Sequence, residues 1–428
     1  MSALDLKESA YNSKLASHVM AVLSDEQKSK ALSAISDALI ANSSIVFEEN
    51  AKDIAAAEEA NLDMPLLKRL KFGDSKLEDC VNGIKSLSLL EDPVGKVSLH
   101  TTLDDGLDLY RVSCPIGVIG VIFESRPDAL VQIATLCVKS GNAVILKGGS
   151  EAINTNKVLA DIIYKAGVDA GLPEGWLLLL TTRSEISEML SLNEYIDLII
   201  PRGSNAFVQY IMKNTSIAVL GHADGVCHTY IHKDCDPDMA IKVALDAKTQ
   251  YVSVCNATET ILVDKELKDS LLPTLIDTFK ANGVEIFGDE YVSSTFDVPM
   301  VEEWHHEYLD MKVSVKLVDD LKSAVLHINR YGSGHTDAII TSNKEAADSF
   351  MLSVDSGSVY VNCSTRFADG FRYGFGAEVG VSTSKIHARG PVGIDGLVTY
   401  KYKLIGNGDI VGDYATGKKI FKHIKHNI

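Results

Sequence analysis

The stretch PIGVIGVIFESRPDALVQIATLCVKSGNAVILKGGS, residues 115–150, decides the fold. Residues 116–123 are an apolar run of strand length, the pattern of a strand buried on both faces. Residues 128–140 follow with a helical pattern, and Gly141 stands where a helix closes in the left-handed conformation. Residues 143–146 are the next strand, and Ser150 is placed to cap a helix that runs to residue 170. Working outward, strands are expected at 176–180 and 197–201, with helices at 185–192 and 204–213. Such alternation builds a parallel sheet with helices on both faces, and ligands bind beyond the C-terminal ends of its strands.

A second series follows: strands at 260–263, 313–318, 338–341 and 358–362, with helices at 267–282, 321–330 and 344–354. Two α/β domains are therefore expected. Between the two series, TQYVSVCNATETILV (residues 249–263) leaves a helical segment and enters a strand, which puts Cys255 on a turn near the junction. A cysteine so placed reads either as an exposed nucleophile, reactive as its thiolate, or as one more core thiol.

At the N-terminus, Ser24 and Gln27 form a capping box before Leu32, Ile35, Leu39 and Ile40 at helical spacing. Residues 96–112 read as a β-hairpin turning at Asp104, Asp105 and Gly106, and residues 397–404 as a further alternating strand. These arms pair either between subunits or within their own domain.

The 428 residues, 46% hydrophobic and 23% charged, are long enough for two or three globular domains. A net charge of −17 argues against nucleic-acid binding. No apolar run reaches the ~18 residues of a membrane span. Seven scattered cysteines fit a reducing compartment, so a cytoplasmic protein is expected.

Several residues could carry chemistry. Lys147, Gly148, Gly149 and Ser150 follow a strand and open a helix, either as a phosphate cradle on free helix amides or as an ordinary turn. Arg202, Gly203 and Ser204 repeat the construction. Arg126 and Arg366 each follow a strand, suited to an anion or to a structural ion pair. His222, Cys227, His228, His232 and Cys235 offer metal-ligand types, but their spacing matches no common zinc pattern, and no metal is expected.

The runs GVIGVIFESRPDA (117–129), KSGNAVILKGGSEA (139–152), DLIIPRGS (197–204), GHADGVCH (221–228), CNATET (255–260), HINRYGSGHTDAI (327–339) and NCSTRFADGFRYGFGAEVGVSTSKIHARGPVG (362–393) closely resemble the γ-glutamyl phosphate reductase family of the aldehyde dehydrogenase superfamily. The resemblance implies two Rossmann-type domains plus a β-arm. Residues 1–95 and 113–235 would bind cofactor, 236–394 would be catalytic, and 96–112 with 395–428 would be the oligomerisation arm. It implies NADPH-dependent reduction of L-glutamate 5-phosphate to L-glutamate 5-semialdehyde, the second step of proline synthesis from glutamate.

By the same resemblance, Cys255 is the nucleophile, which forms a thioester. Lys147, Gly149 and Ser150 meet the adenosine ribose, Gly203 and Ser204 the pyrophosphate, and Glu307 the nicotinamide ribose. Ser150 stands where NAD-preferring relatives carry Glu, which favours NADP(H). Arg126, in ESRP, replaces the oxyanion-binding asparagine of the wider superfamily. GHADG replaces the segment whose Glu activates water. Arg126 and Arg366 would assist phosphate departure, and Asn256 or its neighbouring amides the oxyanion. A homodimer or larger homo-oligomer is expected, and the upstream glutamate 5-kinase is a candidate partner. The alternatives are a related acyl-phosphate or aldehyde dehydrogenase, and a catalytically silent member of the fold.

Overall fold

The computed structural model describes residues 3–428 other than Ser125, Arg183, Ala223, Gly376, Ala377 and Ile386. Ser125 of the ESRP run and Ala223 of GHADG thus lie outside the described residues. The chain divides into two compact units.

The first unit spans Met1–Gly203, Tyr210–Val219 and Gly393–Ile428. Its five-stranded parallel sheet has the order Leu177–Leu180, Ala143–Lys147, Val118–Phe123, Leu198–Arg202, Ala218–Val219. Val118–Phe123 and Ala143–Lys147 are buried at every residue, as strands covered by helices on both faces must be. Helix Pro127–Ser140 joins these two strands and ends at Gly141, whose φ of 73° is left-handed. Gly117 has φ +132°, and a Cβ there would sit 2.1 Å from Asp197 Oδ2. That carboxylate accepts the Val118 amide at 2.8 Å, so a glycine is required where the strand begins.

Helix Ala3–Met20 packs on this sheet, and helix Asp25–Ala41 packs on the helices Pro127–Ser140 and Ile153–Asp169 that cover it. The Ser24–Gln27 capping box opens helix Asp25–Ala41, which buries Ala31, Leu32, Ile35 and Leu39. Ile40, expected on the same face, is half exposed.

The hairpin strands Val97–Asp104 and Leu107–Pro115 form an antiparallel sheet in the order Val398–Ile405, Leu107–Pro115, Val97–Asp104, Ile424–His426. Val398–Ile405 runs in continuous register with Leu107–Pro115, from Val398 opposite Pro115 to Ile405 opposite Asp108. The arms therefore pair with each other within one chain. Pairing of these two segments between subunits is corrected here, because both edges of Leu107–Pro115 are already taken.

The second unit spans Ser204–Gln209 and Leu220–Val392. The six strands of its main sheet are all parallel, in the order Glu285–Gly288, Lys312–Val318, Thr258–Asp264, Cys227–Ile231, Thr336–Ile340, Ser358–Val361. Cys227–Ile231 lies at the centre of this sheet, so the expected boundary at residue 235 moves back to Leu220. Pairing partners distant in sequence decide that membership. Strand Glu285–Gly288 was not expected. It is short and begins with an exposed Glu, so it carries too little apolar pattern to be seen. Ile231, Ile261, Leu275, Phe279, Val313 and Val315 form part of the main core of this unit.

Candidate active site

In the second unit, helix Pro237–Thr249 starts at an Asp236 cap and ends just before Cys255. The Ala257 amide donates to the Val254 carbonyl at 3.1 Å, which makes Cys255 and Asn256 the central residues of a turn. Strand Thr258–Asp264 then carries the chain into the sheet. Cys255 is half-buried, whereas Cys80, Cys137 and Cys227 are buried. Burial pushes the Cys80 thiol up to about 12 and holds Cys137 and Cys227 well above the ordinary range, so none of these three supplies a thiolate.

The turn is held from beneath. A Cβ on Gly225 would lie 2.4 Å from Cys255 Cα and 2.6 Å from its Cβ, so only glycine lets the two backbones meet. Cys227 Sγ donates to the Cys255 carbonyl at 3.2 Å. The hydroxyls of Thr229, Thr258 and Thr365 form a buried chain, with links of 2.8 and 3.2 Å. Asn256 is buried, and its Nδ2 donates to the Ala368 carbonyl at 2.8 Å. One of its two N–H bonds is thus committed to the turn that carries Arg366.

Arg366 follows strand Ser358–Val361, in a short 3-10 turn capped by Ser364. It is 8% exposed, and its Nε donates to Gln250 Oε1 at 2.9 Å. Burial and neighbouring Arg372 lower its pKa, while Cys255 is among the groups that raise it. Arg366 and Cys255 are therefore electrostatic neighbours.

Two histidines that spacing did not link to the cysteine stand beside it. Ligating atoms of His222, Cys255 and His335 all lie within 4.8 Å of one another. The imidazoles of His222 and His335 meet edge to face at 4.8 Å between centroids. His222 Nδ1 lies 2.9 Å from the Val381 carbonyl, which can only accept, so the neutral ring carries its lone pair on Nε2. The two other histidines of that run have separate contacts: His228 Nδ1 faces Asp337 at 3.0 Å, and His232 Nδ1 faces Thr341 Oγ1 at 3.0 Å.

Glu307 Oε2 accepts from Asn205 Nδ2 at 2.7 Å, and the same amide reaches Asp224 Oδ1 at 2.9 Å. Asn205 and Asp224 were not singled out from sequence. The GHADG run places Asp224, and the first residue of helix Asn205–Lys213 places Asn205. Ser204 precedes that helix and is exposed.

In the first unit, Lys147 ends its strand with only 4% exposure, and its Nζ donates to the Gly148 carbonyl. A Cβ on Gly148 would lie 2.2 Å from Asn156 Nδ2. Ser150 is exposed and begins a 3-10 turn whose cap is Gly149; the α-helix Ile153–Asp169 starts after it, without a side-chain cap. The capping role expected of Ser150 is corrected accordingly.

The free helix amides expected at this turn are corrected too. Asp53, buried on helix Ser43–Glu59, accepts from the amides of Asn154 and Thr155 at 3.2 and 2.8 Å. A carboxylate already satisfies that helix start and would repel a phosphate. The Glu151 carboxylate also leans over Gly149, within 2.0 Å of where its Cβ would be. Arg126 is exposed and directly precedes helix Pro127–Ser140. Gly203 is exposed, just after strand Leu198–Arg202.

The sequence profile of the aldehyde dehydrogenase family matches residues 8–311. The chain is 58% identical over 426 residues to the γ-glutamyl phosphate reductase of Acetivibrio thermocellus, covering 99% of both chains. It is 59% identical to that of Pelotomaculum thermopropionicum, again over 426 residues, covering 99% of this chain and 98% of the relative. The crystal structure of γ-glutamyl phosphate reductase from Thermotoga maritima superposes with a TM-score of 0.92 at 36% identity, covering 95% of this chain and 99% of that one. Glyceraldehyde-3-phosphate dehydrogenase GapN of Methanocaldococcus jannaschii, solved with NADP, shares the fold with a TM-score of 0.66 at 17% identity, covering 95% of each chain. With matches that run end to end, the chain belongs to the aldehyde dehydrogenase family, among its γ-glutamyl phosphate reductases.

Proposed function

We propose that the chain reduces L-glutamate 5-phosphate to L-glutamate 5-semialdehyde with release of phosphate, in proline synthesis from glutamate, using NADPH. The observation that carries this reading is Cys255 at the tip of its turn, pressed forward by Gly225 and neighboured by Arg366, His222 and His335.

The Cys255 sulfur attacks the γ-carbonyl carbon, and its proton passes to the lone pair on His222 Nε2. The carbon–oxygen bond to phosphate then breaks, phosphate leaves with the electron pair, and a thioester remains on Cys255. Arg366 stabilises the departing charge, a role that the family resemblance also gives to Arg126. The second N–H of Asn256 and the amides of the turn receive the carbonyl oxyanion. NADPH, when bound, would supply the hydride for the thioester carbon. The resulting thiohemiacetal on Cys255 collapses by breaking its carbon–sulfur bond, which releases the semialdehyde and restores the thiolate. With a GHADG run where the wider superfamily carries a water-activating Glu, the thioester is spared hydrolysis.

The residues fit a nicotinamide dinucleotide. Lys147 and the close-lying backbone of Gly148 and Gly149 would hold the adenosine ribose beside exposed Ser150. Gly203 and Ser204 would meet the pyrophosphate. Glu307, steadied by Asn205, would hold the nicotinamide ribose. Ser150 and Lys147 favour a 2′-phosphate, while the Glu151 carboxylate opposes it.

The test is Cys255→Ala, which should abolish NADPH oxidation with L-glutamate 5-phosphate while NADP(H) affinity stays near that of the parent. Turnover at the parent rate in the variant would remove Cys255 from the chemistry.

A further inference from the structure

The trio His222, Cys255 and His335 has a second chemical meaning. Two imidazoles and one thiolate are a borderline-soft donor set of the kind Zn2+ binds. Tetrahedral zinc with ordinary bond lengths needs donor spacings of about 3.3–3.6 Å. The three ligating atoms lie within 4.8 Å of one another, so closing onto a metal needs side-chain shifts of about 1 Å, and His222 and Cys255 are only half-buried.

The two imidazoles are set up for it. His335 is 1% exposed, and its Nε2 has no partner among the described residues, while Nδ1 lies 2.8 Å from Thr336 Oγ1. A buried nitrogen without a partner is costly, and a metal would satisfy it. His222 presents an Nε2 lone pair because Nδ1 is bound to the Val381 carbonyl, the outer-sphere arrangement that orients ligating histidines.

We propose that Cys255, His222 and His335 form a Zn2+ site whose occupation silences the enzyme. The inhibitory part rests on the reading of Cys255 as nucleophile; the binding part does not. Binding replaces the thiol proton, which leaves to solvent, with a sulfur–zinc bond, so the sulfur can no longer attack a carbonyl. The fourth position stays open to water or to an oxygen of the substrate.

The full-length, metal-stripped chain should be titrated with Co2+, read by the thiolate-to-cobalt charge-transfer absorption, and with Zn2+ by calorimetry. One ion per chain is expected, with a thiolate band that vanishes in Cys255→Ser and an affinity at least about tenfold weaker in His222→Ala. His335→Gln should act likewise. Because His335 is buried and its variant could misfold, half-buried His222 carries the decision. His426→Ala, which disrupts the surface group His100, Asp108 and His426, should leave the band unchanged. Zn2+ should stop NADPH oxidation, and EDTA should restore it.

A Co2+-saturated chain without a thiolate band, or a Zn2+ affinity indifferent to both Cys255→Ser and His222→Ala, would overturn the site. Parent-like turnover in Cys255→Ala would overturn the inhibition while leaving the thiolate band of the parent chain as it is, so the two readings fail separately.

Discussion

Lys248 Nζ lies 2.6 Å from Glu259 Oε2, and neither side chain has any exposure to solvent. Lys248 is on the helix that leads into the Cys255 turn, and Glu259 is on the strand that leads out of it. The pair therefore clamps both ends of the loop that bears Cys255. Glu259 Oε1 also accepts the Leu309 amide at 3.3 Å, which ties in the segment that bears Glu307. Burial pushes the Glu259 carboxyl up to about 7 against the pull of Lys248, and burial lowers Lys248.

Removing one partner leaves a buried, uncompensated group. Lys248→Met should destabilise the protein by about 3–5 kcal/mol. The double variant Lys248→Met, Glu259→Leu should recover most of that loss. Urea unfolding of the two variants checks it, and a double variant no more stable than the single would refute the pairing.

His327 sets an acid limit. Burial, and then His228, hold its pKa down to about 2 from the ordinary 6.5. Its Nε2 has no partner among the described residues, and its ring meets Trp304 edge to face at 5.1 Å. The neutral ring is thus stable in the folded protein above pH 6.5. Below 6.5 the unfolded chain takes up the proton first, so stability falls with pH, by about 1.4 kcal/mol per unit from this residue. His327→Leu should flatten the fall in melting temperature between pH 6.5 and 5. An unchanged acid slope would contradict the argument.

Cofactor choice is expected to hinge on charge at one turn. Ser150→Glu should raise KM for NADPH roughly fivefold more than for NADH, as an exposed like-charge contact of about 1 kcal/mol requires. Glu151→Gln should shift the ratio the other way. Equal changes for both cofactors would exclude charge as the cause.

Arg126 and Arg366 should separate in kinetics and in stability. Exposed Arg126→Ala should lose about 100-fold in turnover with little change in melting temperature, Arg126→Lys should lose only several-fold, and the reverse reaction should show a raised KM for phosphate. Arg366→Ala should lower the melting temperature as well, because its Nε bond to Gln250 is lost. An unchanged phosphate KM in Arg126→Ala would return that residue to the scaffold.

Strand Val398–Ile405 leaves Tyr400, Tyr402, Leu404 and Ile405 each more than half exposed, at 55–62%. An edge strand of this kind is a template for another chain. The protein should sediment as a homodimer or larger assembly at micromolar concentration, and Tyr402→Lys with Leu404→Lys should shift it toward monomer. A monomeric parent would dismiss this edge as an interface.

What the sequence by itself determined was local. The alternation of apolar runs with amphipathic helices declared two parallel sheets, because burial on two faces leaves its mark on every residue of a strand. The Ser24–Gln27 box and Gly141 declared helix ends, since capping involves only residues three or four apart. Cys255 could be placed on a turn because a helix pattern stops and a strand pattern starts on either side of it. The tertiary structure alone decided what meets over long separations. It put Cys227–Ile231 into the second sheet, Asp53 onto the start of helix Ile153–Asp169, Lys248 against Glu259, and His222 and His335 beside Cys255. None of these contacts leaves a periodic trace, because each depends on one side chain meeting another that the sheet order, and not the chain order, brings near.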